Sequence, residues 1–397
     1  MEALQTARLQ APDAAPPLVT VVIPCLDEAE SVAACVSTAT STFEEENIDG
    51  EVVVVDNGSR DGSGRIASGA GARVIHEPRR GYGSAYLTGF RAARGRYVVM
   101  ADADGTYDLA DLPRFLSELE DGADLVMGSR LRGTIHENAM PWLHRHIGNP
   151  ALTGILNLFF GTGVSDAHCG MRAFRRDLLE RLDLQATGME LASEHLIRSA
   201  KLGLDIREIP IDYLPRAGES KLASFSDGWR HLRLLLVHSP TWLFLVPGGL
   251  LFTVGVLAGV LGLTLGESSR LPLLVCASMM AIIGTQLLQF GTFARAYAVW
   301  VLGERDAAFD RVRKRLSLET VLASGALVAL AGLALLAIAL VRWGGDGFGV
   351  LGDPTLALAG LTVAVVGAQI VFAGFLLSVL GLRGRRAEMH AVPRGES

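Results

Sequence analysis

Two aspartates, Asp102 and Asp104, stand where the apolar run Tyr97–Ala101 stops. In an extended strand, side chains two residues apart point the same way, so the pair can present two carboxylates to one cleft. Hard divalent cations prefer such oxygens. Mg2+ is commonly held by one or two carboxylates, with water and substrate phosphates completing its shell. The pattern therefore suits a metal–diphosphate site, and a solvated turn is the plain alternative. An EF-hand is excluded: counted from Asp102, the sixth position is Tyr107 and the twelfth Pro113, where Gly and Glu are required.

Phosphate chemistry also needs cations. "MGSRLRG" supplies Arg130 and Arg132, "DAHCGMRAFRR" supplies Arg172 beside Asp166, and "LPRAGESKL" supplies Arg216, Ser220 and Lys221. Guanidinium forks match phosphate oxygens well. "RRGYGSAYLTGF" resembles a glycine-rich phosphate loop feeding a helix N-terminus. It is not a dinucleotide fingerprint, because Tyr86 takes the third glycine place of GxGxxG, and no GxxxxGK[ST] loop is present. Asp56, closing the run "VVVVD", can accept hydrogen bonds from a base or ribose, or serve only as a turn residue.

His144 and His146 are spaced HxH, but no spacing in the chain matches a zinc site. Cys25, Cys35, Cys169 and Cys276 show no CxxC pairing and read as isolated reduced thiols, as in a cytoplasmic domain.

The elements that must position these residues alternate. "LVTVVIP", "EVVVVD", "ARVIH", "RYVVMAD" and "ADLVMGS" read as strands, and "EAESVAACVSTAT", "DGSGRIASGAG", "GSAYLTGFRAARG" and "LADLPRFLSELEDG" as helices between them. Such alternation argues for an α/β, mostly parallel sheet with flanking helices. Ligands of such sheets collect at the carboxyl ends of strands. Asp27 and Glu28, Asp56, and Asp102 with Asp104 all fall there. "PWLHRHIGNPALTGILNLFFGTG" and "SFSDGWRHLRLLLVHSPTWLF" are amphipathic. The second runs directly into an apolar stretch, which favours placement in the headgroup plane. For the first, an ordinary core helix is an equal alternative.

The net charge of −6 over 397 residues hides a division: charges are dense up to Arg233 and sparse after Thr241. Trp242–Leu265, Leu271–Ala294, Thr320–Val341 and Pro354–Leu382 carry no formal charge. Each meets the roughly 20 residues that cross a bilayer core. The loop "GERDAAFDRVRKRLSLE" and the tail after Leu382 are rich in Arg, whereas the other two connections are not. The positive-inside rule then puts the basic loop, the charged first half and both termini in the cytoplasm, at the plasma membrane. "MEALQTARLQAPDAAPP" reads as a disordered leader with no signal-peptide core. The expected organisation is a leader over 1–17, an α/β domain over 18–223, a juxtamembrane amphipathic segment over 224–240, four transmembrane helices over 241–382 and a basic tail over 383–397.

"VVIPCLDEAES", "VVDNGSRDGS", "RRGYGSAYLTGF", "MADADGTYD", "MGSR", "DAHCGMRAF" and "PRAGESKL" follow one another over Val19–Leu222. In this order they resemble the family 2 glycosyltransferases of GT-A fold, and among them the polyprenyl- and dolichyl-phosphate mannose or glucose synthases. The resemblance implies transfer of a hexose from a nucleotide-sugar to a polyprenyl phosphate, with inversion and with Mg2+ or Mn2+ as cofactor. It implies Asp102 and Asp104 as metal ligands. Pro24, Asp27, Glu28, Asp56, Gly81, Gly83, Asp102 and Arg130 would lie on the nucleotide side. Arg130, Arg172, Arg216, Ser220 and Lys221 would face phosphates, and Asp104, Asp166 and Arg172 the reacting centre. It also makes a homo-oligomer plausible. Two departures stand out: Asn57 where many members have a second Asp, and Thr106 where mannose synthases often have a metal-binding Gln.

A lipid phosphate monoester has its second pKa at about 6, so the nucleophile is ionised near neutrality without a strong general base. The lack of a Ser-His-Asp or Cys-His arrangement is thus no objection. A processive polysaccharide synthase would carry QxxRW near the membrane, and "DGWRHLR" has no such Gln. A non-catalytic membrane scaffold is opposed by the DxD pair and the basic clusters. A nucleotidyltransferase lacks its "GxGTRL" loop here, and the acidic balance gives nucleic-acid binding little support.

Overall fold

The computed structural model describes residues 16–217, 224–264, 267–301, 304, 306–315, 317–345, 347 and 354–391. Most of the expected leader, Ser220, Lys221, Arg305 and residues 392–397 of the tail lie outside them. The chain divides into two compact units, Met1–Leu235 and Leu236–Ser397.

In the first unit the described residues form seven strands: β1 (Val19–Cys25), β2 (Gly50–Asp56), β3 (Arg73–His76), β4 (Tyr97–Met100), β5 (Leu125–Ser129), β6 (Arg172–Arg175) and β7 (Ile206–Pro210). They join in one sheet ordered β3-β2-β1-β4-β6-β5-β7. Only the pairings made by β6 are antiparallel. The α-helices among the described residues are α1 (Val32–Glu45), α2 (Ser63–Gly69), α3 (Tyr82–Ala92), α4 (Leu112–Glu120), α5 (Asn149–Phe160), α6 (Leu179–Leu182) and α7 (Leu191–Lys201), with α8 (Ser224–Val237) running across the boundary into the second unit.

Side-chain alternation along the strands divides the core. Val21, Ile23, Val52, Val54 and Val99 face α1, α2 and α4, and Val22, Val53, Val55, Val98 and Met100 face α3, α5 and α7. With both faces covered, the strands read as nearly unbroken Val runs, the pattern of a buried parallel sheet. The five strands and four helices read from sequence are all present, with ends shifted by a few residues. The two additional strands, β6 and β7, were not among them.

β6 matters for the site. Because it runs antiparallel, its first residue, Arg172, pairs with the last residue of β4, Met100. Its N-terminal end thus joins the carboxyl ends of β1, β2, β4 and β5 along one edge. The amphipathic stretch after β5 begins with a π-helical turn, His144–Gly148, and continues as α5. It buries Thr153 and Leu156 and leaves Trp142, Leu143, Ile147 and Leu158 exposed.

In the second unit, α9 (Val246–Gly262), α10 (Glu267–Trp300), α12 (Leu318–Gly345) and α13 (Thr355–Ala391) follow one another, with the short α11 (Ala307–Arg315) in the basic loop. Four spans, Thr241–Gly262, Arg270–Trp300, Leu318–Gly345 and Thr355–Gly381, are long and apolar enough to cross a membrane. α9 packs on α10 and α12 on α13, with α10 meeting α13. Both pairs approach through glycine: a Cβ on Gly284 would lie 2.4 Å from the Phe252 nitrogen, and one on Gly332 2.2 Å from that of Ala364. Small residues allow such approach in lipid, where packing rather than hydrophobicity joins helices. Ser278–Thr362 (2.8 Å) and Gln286–Gln369 (2.9 Å) hydrogen bonds tie α10 to α13.

Candidate functional site

The loops after β1 and β2 are stitched into one surface. Arg60 N donates to Asp27 Oδ1 (2.7 Å), Asp27 N to Ser59 Oγ (3.1 Å), Glu28 N to Ser63 Oγ (2.9 Å) and Ala29 N to Asp61 Oδ2 (2.9 Å). Asp56 accepts from Ser59 N at 2.9 Å, and its second oxygen lies 3.9 Å from His76 Nδ1. Asp27 has a positive φ of 52° and is exposed. Pro24, inside β1 and half-buried, sits beside Val55.

The aspartate pair does not lie in an extended strand. β4 ends at Met100, and Asp102 and Asp104 belong to the turn that follows, closed by Gly105 at φ +75°. Strand alternation therefore does not align them, and each carboxylate has its own partners. Asp102 Oδ1 accepts from the hydroxyls of Tyr82 (3.0 Å) and Tyr86 (3.3 Å), both on α3. Asp104 Oδ1 accepts from Thr106 N (3.1 Å) and Oγ1 (2.7 Å). Thr106 is thus bonded to the carboxylate of Asp104.

Burial, with Asp104 beside it, pushes the Asp102 carboxyl up to about 7, and the tyrosine hydroxyls and Arg216 only partly offset this. The pair carries more negative charge than its surroundings balance, which is the donor chemistry a divalent cation satisfies. Gly170 leaves room beside it: a Cβ there would lie 2.8 Å from Asp102 Oδ2. Among the described residues no group of three His, Cys, Asp or Glu could hold a metal, so water and phosphate oxygens would complete the shell.

After β7 the chain crosses back over this turn. Leu214 N donates to Thr106 O (3.0 Å) and Ala217 N to Asp104 O (3.1 Å). Arg216 is thereby carried to the carboxylates: Nη2 donates to Glu28 Oε1 at 2.6 Å, and Nη1 lies 3.4 Å from Asp104 Oδ2. Glu28, Asp102, Asp104 and Arg216 are the expected residues that the fold brings together.

Asp166 and Arg130 form a separate buried pair. Arg130 Nε and Nη2 donate to the two oxygens of Asp166 at 2.7 and 2.8 Å, and the guanidinium lies 5.1 Å from the Tyr213 ring centroid. Burial alone would raise the Asp166 carboxyl, but Arg130 outweighs it and holds it low. Asp166, fully buried, therefore fixes Arg130 and does not itself face a cleft.

Arg172 is a correction. It is fully buried, and its Nε, Nη1 and Nη2 donate to the carbonyls of Cys169 (2.9 Å), Ala192 (2.6 Å) and Ala167 (2.8 Å). With all three nitrogens engaged and no exposed surface, it holds the 167–172 turn against α7 rather than facing a cleft.

Gly81 and Gly83 are a second correction. Their bare Cα atoms do not make room for a ligand: a Cβ on Gly81 would lie 2.3 Å from Thr187 O, and one on Gly83 2.2 Å from Ala186 O. Ser84 N already donates to Thr187 O (3.1 Å) and Gly81 N to Asn57 Oδ1 (2.8 Å). The N-terminus of α3 is largely capped by protein.

Sequence reasoning misses Tyr82 and Tyr86, spaced i, i+4 on one helix face, because in the sequence Tyr86 stands out only as a departure from a glycine pattern. It also misses Glu194, which holds the segment 185–187 beside the N-terminus of α3 by accepting from Gln185 N (2.9 Å) and Ala186 N (2.7 Å). Cys25 and Cys35 are pushed up by burial to about 11 and Cys169 to about 12, which removes these thiols as nucleophiles.

Residues 20–183 match the family described as Glycosyl transferase family 2, and residues 292–381 match the Glycosyltransferase family 2 C-terminal transmembrane region. The chain is similar to the low-salt glycan biosynthesis hexosyltransferase Agl6 of Haloferax volcanii, with 42% identity over 92% of this chain and 89% of that protein. It is similar to a dolichyl-phosphate hexose transferase of the same organism, with 43% identity over 45% of this chain and 76% of the relative. A polyprenol monophosphomannose synthase of Mycolicibacterium smegmatis matches at 32% identity over 51% of this chain and 80% of its own length.

Proposed function

Since the chain belongs to glycosyltransferase family 2 and is a membrane protein, we propose that it moves a hexose from a nucleotide-sugar to a polyprenyl phosphate. The observation that carries this reading is the convergence of Glu28, Asp102, Asp104 and Arg216 at the carboxyl edge of the sheet, in a chain with four apolar spans. The relatives named for dolichyl-phosphate hexose transfer and polyprenol monophosphomannose synthesis support the same acceptor class. The charge of the loop holding Arg311 and Arg313 supports a cytoplasmic catalytic unit.

In the reaction, the bond from the anomeric carbon to the diphosphate breaks as a lipid phosphate oxygen bonds to that carbon from the opposite face. A divalent cation at Asp102 and Asp104 would offset the charge gathering on the departing diphosphate. Tyr82, Tyr86 and Thr106 hold the two carboxylates in place before the donor arrives, so little reorganisation is left for the reaction itself. Arg130, clamped by Asp166, offers a fixed guanidinium charge to a phosphate approaching that side. The acceptor is already largely ionised at neutral pH, so no side chain need remove a proton. Asp56, at the end of β2 beside the tied loops, would accept hydrogen bonds from a ribose or base.

The test uses the full chain in detergent with labelled UDP-glucose, GDP-mannose or UDP-N-acetylglucosamine, a polyprenyl phosphate and Mg2+. The expected product is a lipid bearing one sugar, lost with a chelator and with Asp104→Ala. Label in long polymer would favour a processive synthase. No transfer and no nucleotide binding would favour a non-catalytic scaffold.

A further inference from the structure

The three arginines expected to face phosphates are bonded very differently. Arg172 has all three nitrogens engaged with carbonyls, and Arg130 makes a two-pronged pair with Asp166. Arg216 makes one good bond, to Glu28 at 2.6 Å. Its contact to Asp104 is a loose 3.4 Å, and among the described residues its buried Nε has no hydrogen-bond partner. A guanidinium so poorly satisfied, on a side chain still 22% exposed, gives up little when it leaves. What holds it is charge, since Glu28, Asp102 and Asp104 surround it with carboxylates.

From this arrangement we infer that Arg216 is the resident counter-ion of the carboxylate cluster, exchanged for the divalent cation that the donor brings. The inference rests on the metal–diphosphate reading of the site and gives one of its residues a second position. A metal on Asp104 Oδ2 and the Arg216 guanidinium cannot both hold that oxygen, because two cations at contact distance repel strongly in a half-buried site. Binding of one therefore weakens the other by the same factor. The backbone bond from Ala217 N to Asp104 O keeps the segment docked while the side chain swings. Released, the guanidinium is a fork of donors beside an incoming diphosphate, so the charge that guarded the empty cluster becomes available to the leaving group. The device would make metal bind weakly alone and tightly with a nucleoside diphosphate.

The test is Mn2+ binding by the full chain in detergent, read from the paramagnetic resonance signal of free Mn2+, with and without a nucleoside diphosphate. Arg216→Met should bind Mn2+ alone roughly tenfold or more tightly than the unaltered chain, within the usual range of coupling between two ligands. Arg216→Lys, which restores a cation, should return the affinity most of the way. Asp104→Asn should abolish the gain in the Met background, tying it to this cluster. Unchanged or weaker Mn2+ binding by Arg216→Met, while the unaltered chain binds Mn2+ with the nucleotide, would overturn the exchange and leave the metal–diphosphate reading standing. No Mn2+ binding by any of these proteins, even with nucleotide, would overturn both.

Discussion

Asn57 and Gly81 are joined by a hydrogen bond that shapes the turn into α3. Asn57 Oδ1 accepts from Gly81 N at 2.8 Å, while its amide donates to Glu77 O (2.9 Å) and Arg79 O (2.8 Å). A carboxylate could accept from Gly81 but could not donate to either carbonyl. The departure from the family's second Asp is therefore structural: Asn57, 4% exposed, is engaged with the turn from Glu77 to Gly81.

Asn57→Asp should accordingly destabilise the first unit by about 1–3 kcal/mol, the usual cost of leaving buried polar groups unpaired. The thermal midpoint should fall and the KM for donor should rise. An unchanged midpoint would show that the turn does not depend on this amide.

Arg172 separates a structural arginine from a substrate-binding one. Arg172→Met leaves the carbonyls of Cys169, Ala192 and Ala167 without their donor in a dry interior. The expected loss is about 3 kcal/mol or more, seen as poor recovery of folded protein. A variant that folds with its normal thermal midpoint and shows only a raised KM for the lipid would contradict this.

Tyr82→Phe removes a hydroxyl donor from Asp102 while keeping the ring edge-on against Tyr86. A hydrogen bond to a carboxylate contributes about 1.5–3 kcal/mol. The Mn2+ concentration giving half-maximal transfer should rise about tenfold or more. An unchanged metal requirement would mean that the tyrosine serves packing alone.

His195 makes acid stability measurable. It is fully buried against Phe174, both ring nitrogens lack partners among the described residues, and burial, helped by Arg172, pulls it down to about 3 from 6.5. The unfolded chain takes up its proton below 6.5 and the folded chain does not. Stability from this group is thus complete above 6.5 and is lost as pH falls toward 3, at up to about 1.4 kcal/mol per pH unit. His195→Phe should reduce the fall in melting temperature between pH 7 and pH 5. An identical fall in both proteins would show that other groups govern the acid limb.

The edge of the sheet was legible because each apolar run ends at a polar residue: Cys25 before Asp27, Val55 before Asp56, Met100 before Asp102. β6 and β7 were not. "RAFR" is four residues bounded by arginines, and "IREIP" carries two charges, so neither shows the Val run of a central strand. The glycines of "RRGYG" and Arg172 escaped the sequence for a related reason. Sequence shows that a residue lacks a side chain or carries a charge, but only the fold shows what presses against it. Arg172 is spent on carbonyls because β6 is inserted between β4 and β5, and Arg216 reaches carboxylates because the chain after β7 returns over the β4 turn.

The central claim is transfer of one sugar to a lipid phosphate, and mass spectrometry of the lipid fraction tests it most directly. With the full chain, a polyprenyl phosphate, Mg2+ and the matching nucleotide-sugar, the lipid should gain the mass of one hexose, with nucleoside diphosphate released in equal amount. Release of nucleoside diphosphate with the lipid unchanged, for every donor that binds, would contradict it.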